Sequence, residues 1–177
     1  MLEIRIHGRG GQGNVVAAYL LADAASRAKR HCQAFPSFGA ERRGAPVASF
    51  LRLDDREIRQ MTNIYNPDCI LCIDPTVARA VNIFDGVREN AVLVQTTAKP
   101  LEELVLSERV ATVGLCDAVS IALEIFKRPI TNTIMLGAFA RTTGLVTGTI
   151  AAVDCHPDSG RIRLLSYFLL RKLTGLD

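Results

Sequence analysis

Apolar and polar positions along this chain follow two rhythms, one suited to strands and one to helices, which alternate from end to end. Residues 2–7 read as a strand, and 12–28 as a helix in which Val15, Ala18, Leu21, Ala22 and Ala25 recur at helical spacing. A Pro-, Gly- and Arg-rich loop, FPSFGAERRGAP (35–46), follows. VASFLRLDDREIRQM then suggests a hairpin turning at Asp54-Asp55. DCILCID (68–74), AVLVQT (91–96) and RVATVGL (109–115) are short apolar runs of the kind buried in a parallel sheet. A helix is expected from about 117 to 127, stopped by Pro129 and capped by Asp117. Another starts near Thr131-Asn132 and stops at Gly144, and an Arg-rich helix is expected over 160–173.

This alternation predicts one α/β domain over 1–177, a three-layer α/β/α sandwich on a mixed, mainly parallel sheet. Such sheets bind ligands beyond the carboxyl ends of their strands. Those ends carry His7 with the glycine turn that follows it, Asp74, and Cys116-Asp117. Asp74 precedes Pro75 and suits a turn or a helix cap, and His7 suits a structural hydrogen bond to the turn.

The chain has 177 residues, 49% hydrophobic and 22% charged, as in soluble globular proteins. No apolar run approaches the roughly 18–20 residues that span a bilayer, and Met1 leads straight into a strand without a leader-like segment. A cytoplasmic location is expected. A net charge of +3, without runs of Lys or Arg, does not suggest nucleic acid.

The five cysteines (32, 69, 72, 116, 155) do not form a disulfide framework. Cys69 and Cys72 have C-x-x-C spacing, but on a strand residues three apart face opposite sides. They are not expected to share a metal, and no iron–sulfur cluster is expected in this chain.

Two stretches carry candidate chemistry. Gly8-Arg9-Gly10-Gly11-Gln12-Gly13 fits G-x-G-x-x-G between a strand and a helix, where backbone N–H groups and a helix dipole can hold a phosphate. A nicotinamide or flavin site also needs an acid about 20 residues on, and the second strand, near 31–35, has none. Lys29, Arg30 and His31 hint instead at a 2′-phosphate, so an NADP-binding oxidoreductase stays an alternative. The second stretch, FGAERRGAP (38–46), sets Arg42 and Arg43 between glycines, and Arg forks grip phosphate oxygens. A solvated loop or a loop docked on another subunit fits equally. Nucleophile elbow, P-loop and zinc-protease motifs are absent.

Taken together, IRIHGRGGQGNVVAAYLLADAA, QAFPSFGAERRGAPVASFLRLDDREIR, IYNPDCILCIDPT and NTIMLGAFARTTGLV resemble the gamma subunit of 2-oxoacid:ferredoxin oxidoreductases, the pyruvate synthase group in particular. The resemblance covers about 1–147, and 148–177 depart from it. It implies a subunit of an enzyme that interconverts a 2-oxoacid and coenzyme A with acyl-CoA and CO₂ while reducing ferredoxin. Thiamine diphosphate, Mg and 4Fe-4S clusters are implied on alpha, beta and delta partner subunits, and this chain is not expected to be active alone. The resemblance points to Gly8, Gly10, Gly11, Gln12, Gly13, Arg42, Arg43 and Gly44 as contacts for coenzyme A or for a partner subunit. An assembly scaffold that binds no ligand is the remaining alternative.

Overall fold

A computed structural model describes residues 1–37 and 44–145, together with the strands Val153–Cys155 and Ile162–Leu164. The elements in order are β1 (Leu2–Arg9), α1 (Asn14–Arg27), β2 (His31–Pro36), β3 (Pro46–Asp54), β4 (Cys69–Cys72), α2 (Val77–Ala80) and β5 (Ala91–Thr96). After a 3-10 turn at Leu101–Glu103 come β6 (Val110–Cys116), α3 (Ala118–Phe126), α4 (Asn132–Thr143), β7 (Val153–Cys155) and β8 (Ile162–Leu164).

Six strands form one mixed sheet in the order β2-β3-β1-β4-β5-β6. β1, β4, β5 and β6 pair in parallel, and β3 runs antiparallel to both β1 and β2. The α/β architecture expected from the sequence is therefore present. The antiparallel hairpin has different arms from those expected. It joins β2 to β3, and residues 55–68 form no strand, so the turn at Asp54-Asp55 leads into a loop. Both edges of β3 are already filled, by β1 and β2, leaving no ladder for a returning strand.

Alternation along β1 divides the core. Ile4 and Ile6 face α1, α3 and α4, where Ala17, Leu21, Ala25, Ile134 and Phe139 are fully buried with them. Each large aliphatic side chain buried there stabilises the fold by roughly 1.5–3 kcal/mol. Glu3, Arg5 and His7 face the other side, a buried polar stripe between two smaller apolar clusters. One of these clusters holds Phe35, Phe50 and Ile64, and the other Ile70, Cys72, Val77 and Ile83. Cys69 belongs to the helix-side cluster and Cys72 to the opposite one, as strand alternation requires.

The helix ends follow local chemistry. Asp117 accepts from the Ser120 N–H at 3.2 Å and caps α3, while Lys127 closes it in the left-handed region. Gly144 closes α4 at φ 65°. Of the helix expected over 160–173, Ile162–Leu164 is instead a strand paired antiparallel with Val153–Cys155; the rest lies outside the described residues. Over three residues an alternating I-R-L fits either period, and here the ladder with β7 decides. Among the described residues no helix is long and apolar enough to cross a membrane.

Candidate functional site

The first parallel strand ends in the turn that the glycine spacing suggests. Gly11 and Gly13 have φ of 90° and 79°, which side-chain-bearing residues rarely adopt, and Gly13 leads directly into α1. A Cβ on Gly13 would lie 2.5 Å from Asn132 Nδ2, so the turn sits against the first residue of α4. Neither α1 nor α4 has a side-chain cap on its N-cap residue. The positive ends of two helix dipoles thus meet at one turn, an arrangement that suits an anion.

The described end of the second motif is tied to the first. Gly10 N–H donates to Ala45 O at 2.9 Å, Gly44 N–H to Gly10 O at 3.1 Å, and Arg9 Nη1 to Gly44 O at 2.8 Å. Arg42 and Arg43 lie outside the described residues.

Asp74, at the end of β4, locks the turn from the other side. Gln12 Nε2 and the Thr76 hydroxyl donate to its carboxylate, the Thr76 N–H donates at 2.7 Å, and Arg9 Nε lies 3.7 Å away. Burial alone would raise the Asp74 carboxyl, but the bonds from Thr76 and Gln12 and the Arg9 charge outweigh it and hold it below the usual carboxylate range. Gln12 Oε1 also accepts from Arg9 N–H at 3.0 Å. Gln12 is committed to the turn itself, Gly11 is exposed and the Arg9 side chain is partly so.

Residues 3–153 match the family described as pyruvate ferredoxin/flavodoxin oxidoreductase. The chain belongs to this family. It is 63% identical over 147 residues to the gamma subunit of NADH-dependent phenylglyoxylate dehydrogenase from Aromatoleum evansii, covering 83% of this chain and 77% of that protein. To the common gamma subunit of the pyruvate/ketoisovalerate oxidoreductases of Thermococcus litoralis it is 49% identical over 148 residues, covering 82% and 80%. The solved structure of pyruvate oxidoreductase subunit PORC from Thermotoga maritima matches with a TM-score of 0.69 at 40% identity, over 82% of this chain and 78% of that one. The chain is a gamma-type subunit of a 2-oxoacid oxidoreductase.

Within this oxidoreductase subunit, the structure brings Gly8, Gly10, Gly11, Gln12, Gly13 and Gly44 together. It does not bring Lys29, Arg30 and His31 to them. α1 carries these residues to the far end of the sheet, where His31 pairs with Asp54 and Arg30 Nε lies 3.5 Å from Asp55. β3 separates β2 from β1, so a second strand does not lie beside the turn as in a dinucleotide fold. The 2′-phosphate hint is thereby corrected. His7 likewise does not bond the turn through its ring; its Nε2 accepts from Arg5 Nε at 3.0 Å. Arg9, Thr76 and Asn132 belong to the site and were not singled out from the sequence. The Asp-Pro-Thr at the end of a parallel strand was the available signal for Thr76.

A larger cavity, about 820 Å³, lies elsewhere, beyond the carboxyl ends of β4 and β5 and at the start of α3. Arg79, Gln95, Thr96, Lys99, Asp117 and Ser120 line it, and the turn glycines do not. Among the described residues no cluster of three or more His, Cys, Asp or Glu side chains could hold a metal ion.

Proposed function

We propose that this chain is the gamma subunit of a 2-oxoacid:ferredoxin oxidoreductase and helps to form its coenzyme A site. One observation carries the reading: the backbone of Gly10 is hydrogen-bonded to both Gly44 and Ala45, which joins the first family motif to the described end of the second. Positive-φ glycines and two helix N-termini at that surface fit a phosphate-bearing ligand. When bound, coenzyme A supplies the thiol that receives the acyl group. Backbone N–H groups of the turn would orient its phosphates, and Arg42 and Arg43 would add charge-assisted bonds. Thiamine diphosphate, Mg and 4Fe-4S clusters belong to the alpha, beta and delta partners in this reading, and the assembled enzyme is cytoplasmic.

An Arg42→Ala, Arg43→Ala double variant tests it in the assembled enzyme. The expected result is a raised KM for coenzyme A with assembly intact. Loss of assembly at unchanged KM would sink the ligand reading and favour a subunit seam.

Pyruvate is the oxoacid expected from the sequence. The higher identity to the phenylglyoxylate dehydrogenase subunit favours testing an aryl 2-oxoacid beside it. Comparing kcat/KM for pyruvate and phenylglyoxylate in the complex decides between them.

A further inference from the structure

On the face of β1 turned away from α1, an open cavity of about 420 Å³ lies over Arg5 and His7. That volume is within the range of small-ligand sites. Both side chains are more than nine-tenths buried, with 8% and 7% exposed. Phe50 and Ala48, their cross-strand neighbours on β3, form one wall with Val47 and Ile64.

The donors of Arg5 are only partly used. Nε donates to His7 Nε2, and Nη2 donates to the carbonyls of Ile83 and Asp85 at 2.9 and 2.6 Å. Nη1 has no hydrogen bond, and Arg5 no ion pair, among the described residues. Burial lowers the Arg5 pKa, and the nearby Asp85 charge opposes this. His7 is neutral, held down at about 3 by burial and by the Arg5 charge. A neutral ring that accepts at Nε2 carries its proton on Nδ1, which has no partner among the described residues. The cavity floor therefore offers a cationic donor and a neutral N–H donor, between an apolar wall of Ala48, Phe50 and Ile64 and a polar rim of Ser37, Asn63, Asn82 and Asp85.

We infer that the cavity over Arg5 and His7 binds a small organic monocarboxylate with an apolar or aromatic body. The free Nη1 of Arg5 suits one carboxylate oxygen as a charge-assisted donor, and Phe50, Ala48 and Ile64 suit the body. A single negative charge is favoured over a phosphate dianion, because Asp85 stands at the rim and repels a second charge. The inference rests on Arg5 and His7 and does not use the coenzyme A reading; none of Gly8–Gly13 lines the cavity, although Pro46 of the second motif does.

The test uses the full chain, with benzoate as probe, benzamide as its uncharged counterpart, and inorganic phosphate. Titration calorimetry should show saturable binding of benzoate, with benzamide and phosphate about tenfold or more weaker. In ¹⁵N-histidine spectra, benzoate should shift the His7 ring resonances, assigned with a His7→Gln variant. Ala48→Leu, which fills the cavity beside His7, should weaken benzoate by about tenfold or more while keeping the wild-type circular dichroism. No saturable benzoate binding, equal binding of benzamide or phosphate, or an unmoved His7 signal overturns the inference. So does full benzoate affinity in a folded Ala48→Leu protein. If that variant does not fold, the benzoate–benzamide comparison and the His7 signal in the wild-type chain decide alone.

Discussion

Arg5 and His7, two residues apart on β1, share a hydrogen bond in which the guanidinium Nε donates to the imidazole Nε2 at 3.0 Å. Alternation along the strand places both on the same buried face, so the ring cannot be protonated without losing that bond beside a cation.

This pairing sets a pH dependence of stability. Burial, and then the Arg5 charge, hold His7 at about 3 against an ordinary 6.5. Between those values the unfolded chain binds a proton that the fold excludes. The contribution of neutral His7 is fully present above 6.5 and declines as the pH falls toward 3, by at most ~1.4 kcal/mol per pH unit. Urea unfolding from about pH 4 to 7 should show this slope in the wild type and its loss in His7→Gln. Parallel slopes in the two proteins would count against it.

The turn tests the backbone argument. Gly13→Ala must hold a side chain at φ 79°, with a Cβ placed 2.5 Å from Asn132 Nδ2. The amide end of Asn132 can swing aside, so the dihedral dominates and the expected destabilisation is ~1–2 kcal/mol. Adding Asn132→Ala should recover only a small part. Full recovery in denaturant melts would show that the contact, not the dihedral, is the cause.

Arg52 carries a larger effect. Its side chain is 2% exposed and its Nε donates to Glu3 Oε1 at 2.9 Å, while Arg88 binds the other Glu3 oxygen at 2.8 Å. Arg52→Leu leaves Glu3 buried with one partner and should cost ~3–5 kcal/mol. Arg88 is 45% exposed, and Arg88→Ala should cost under ~1 kcal/mol. Equal losses in thermal unfolding would contradict this ranking.

The thiols differ in reactivity. Burial pushes Cys69 and Cys72 up to about 12, whereas Cys32 is half-buried, donates to Ala22 O at 3.1 Å and is raised less. Iodoacetamide on the native chain should modify Cys32 well before Cys69 or Cys72. Peptide mass mapping checks the order, and early modification of Cys72 would refute it.

Much of the fold is legible in local pattern. Short apolar runs located most of the sheet strands, helical spacing located α1, and cap and stop residues located α3 and α4, because burial and end chemistry act on each element by itself. Asp117 and Gly144 mark helix ends through bonds and dihedrals within a few residues of themselves. The opposite facing of Cys69 and Cys72 follows from strand geometry alone.

Neighbours across the sheet depend on something else. β3 lies between β1 and β2 because each of its edges found a ladder, and no spacing within 46–54 states which strands those are. The bond from Gln12 to Asp74 joins residues 62 apart, and the Arg9–Gly44 bond joins residues 35 apart. Lys29 and His31 follow the glycine turn closely in sequence, yet a 14-residue helix carries them to the other end of the sheet. By itself the sequence determined most of the sheet strands, the helices α1, α3 and α4 and a glycine turn after β1, since those choices rest on local sterics and burial. Only the tertiary structure decided which turn meets which carboxylate and that Arg5 and His7 floor a cavity, since strand pairing places residues distant in the chain side by side.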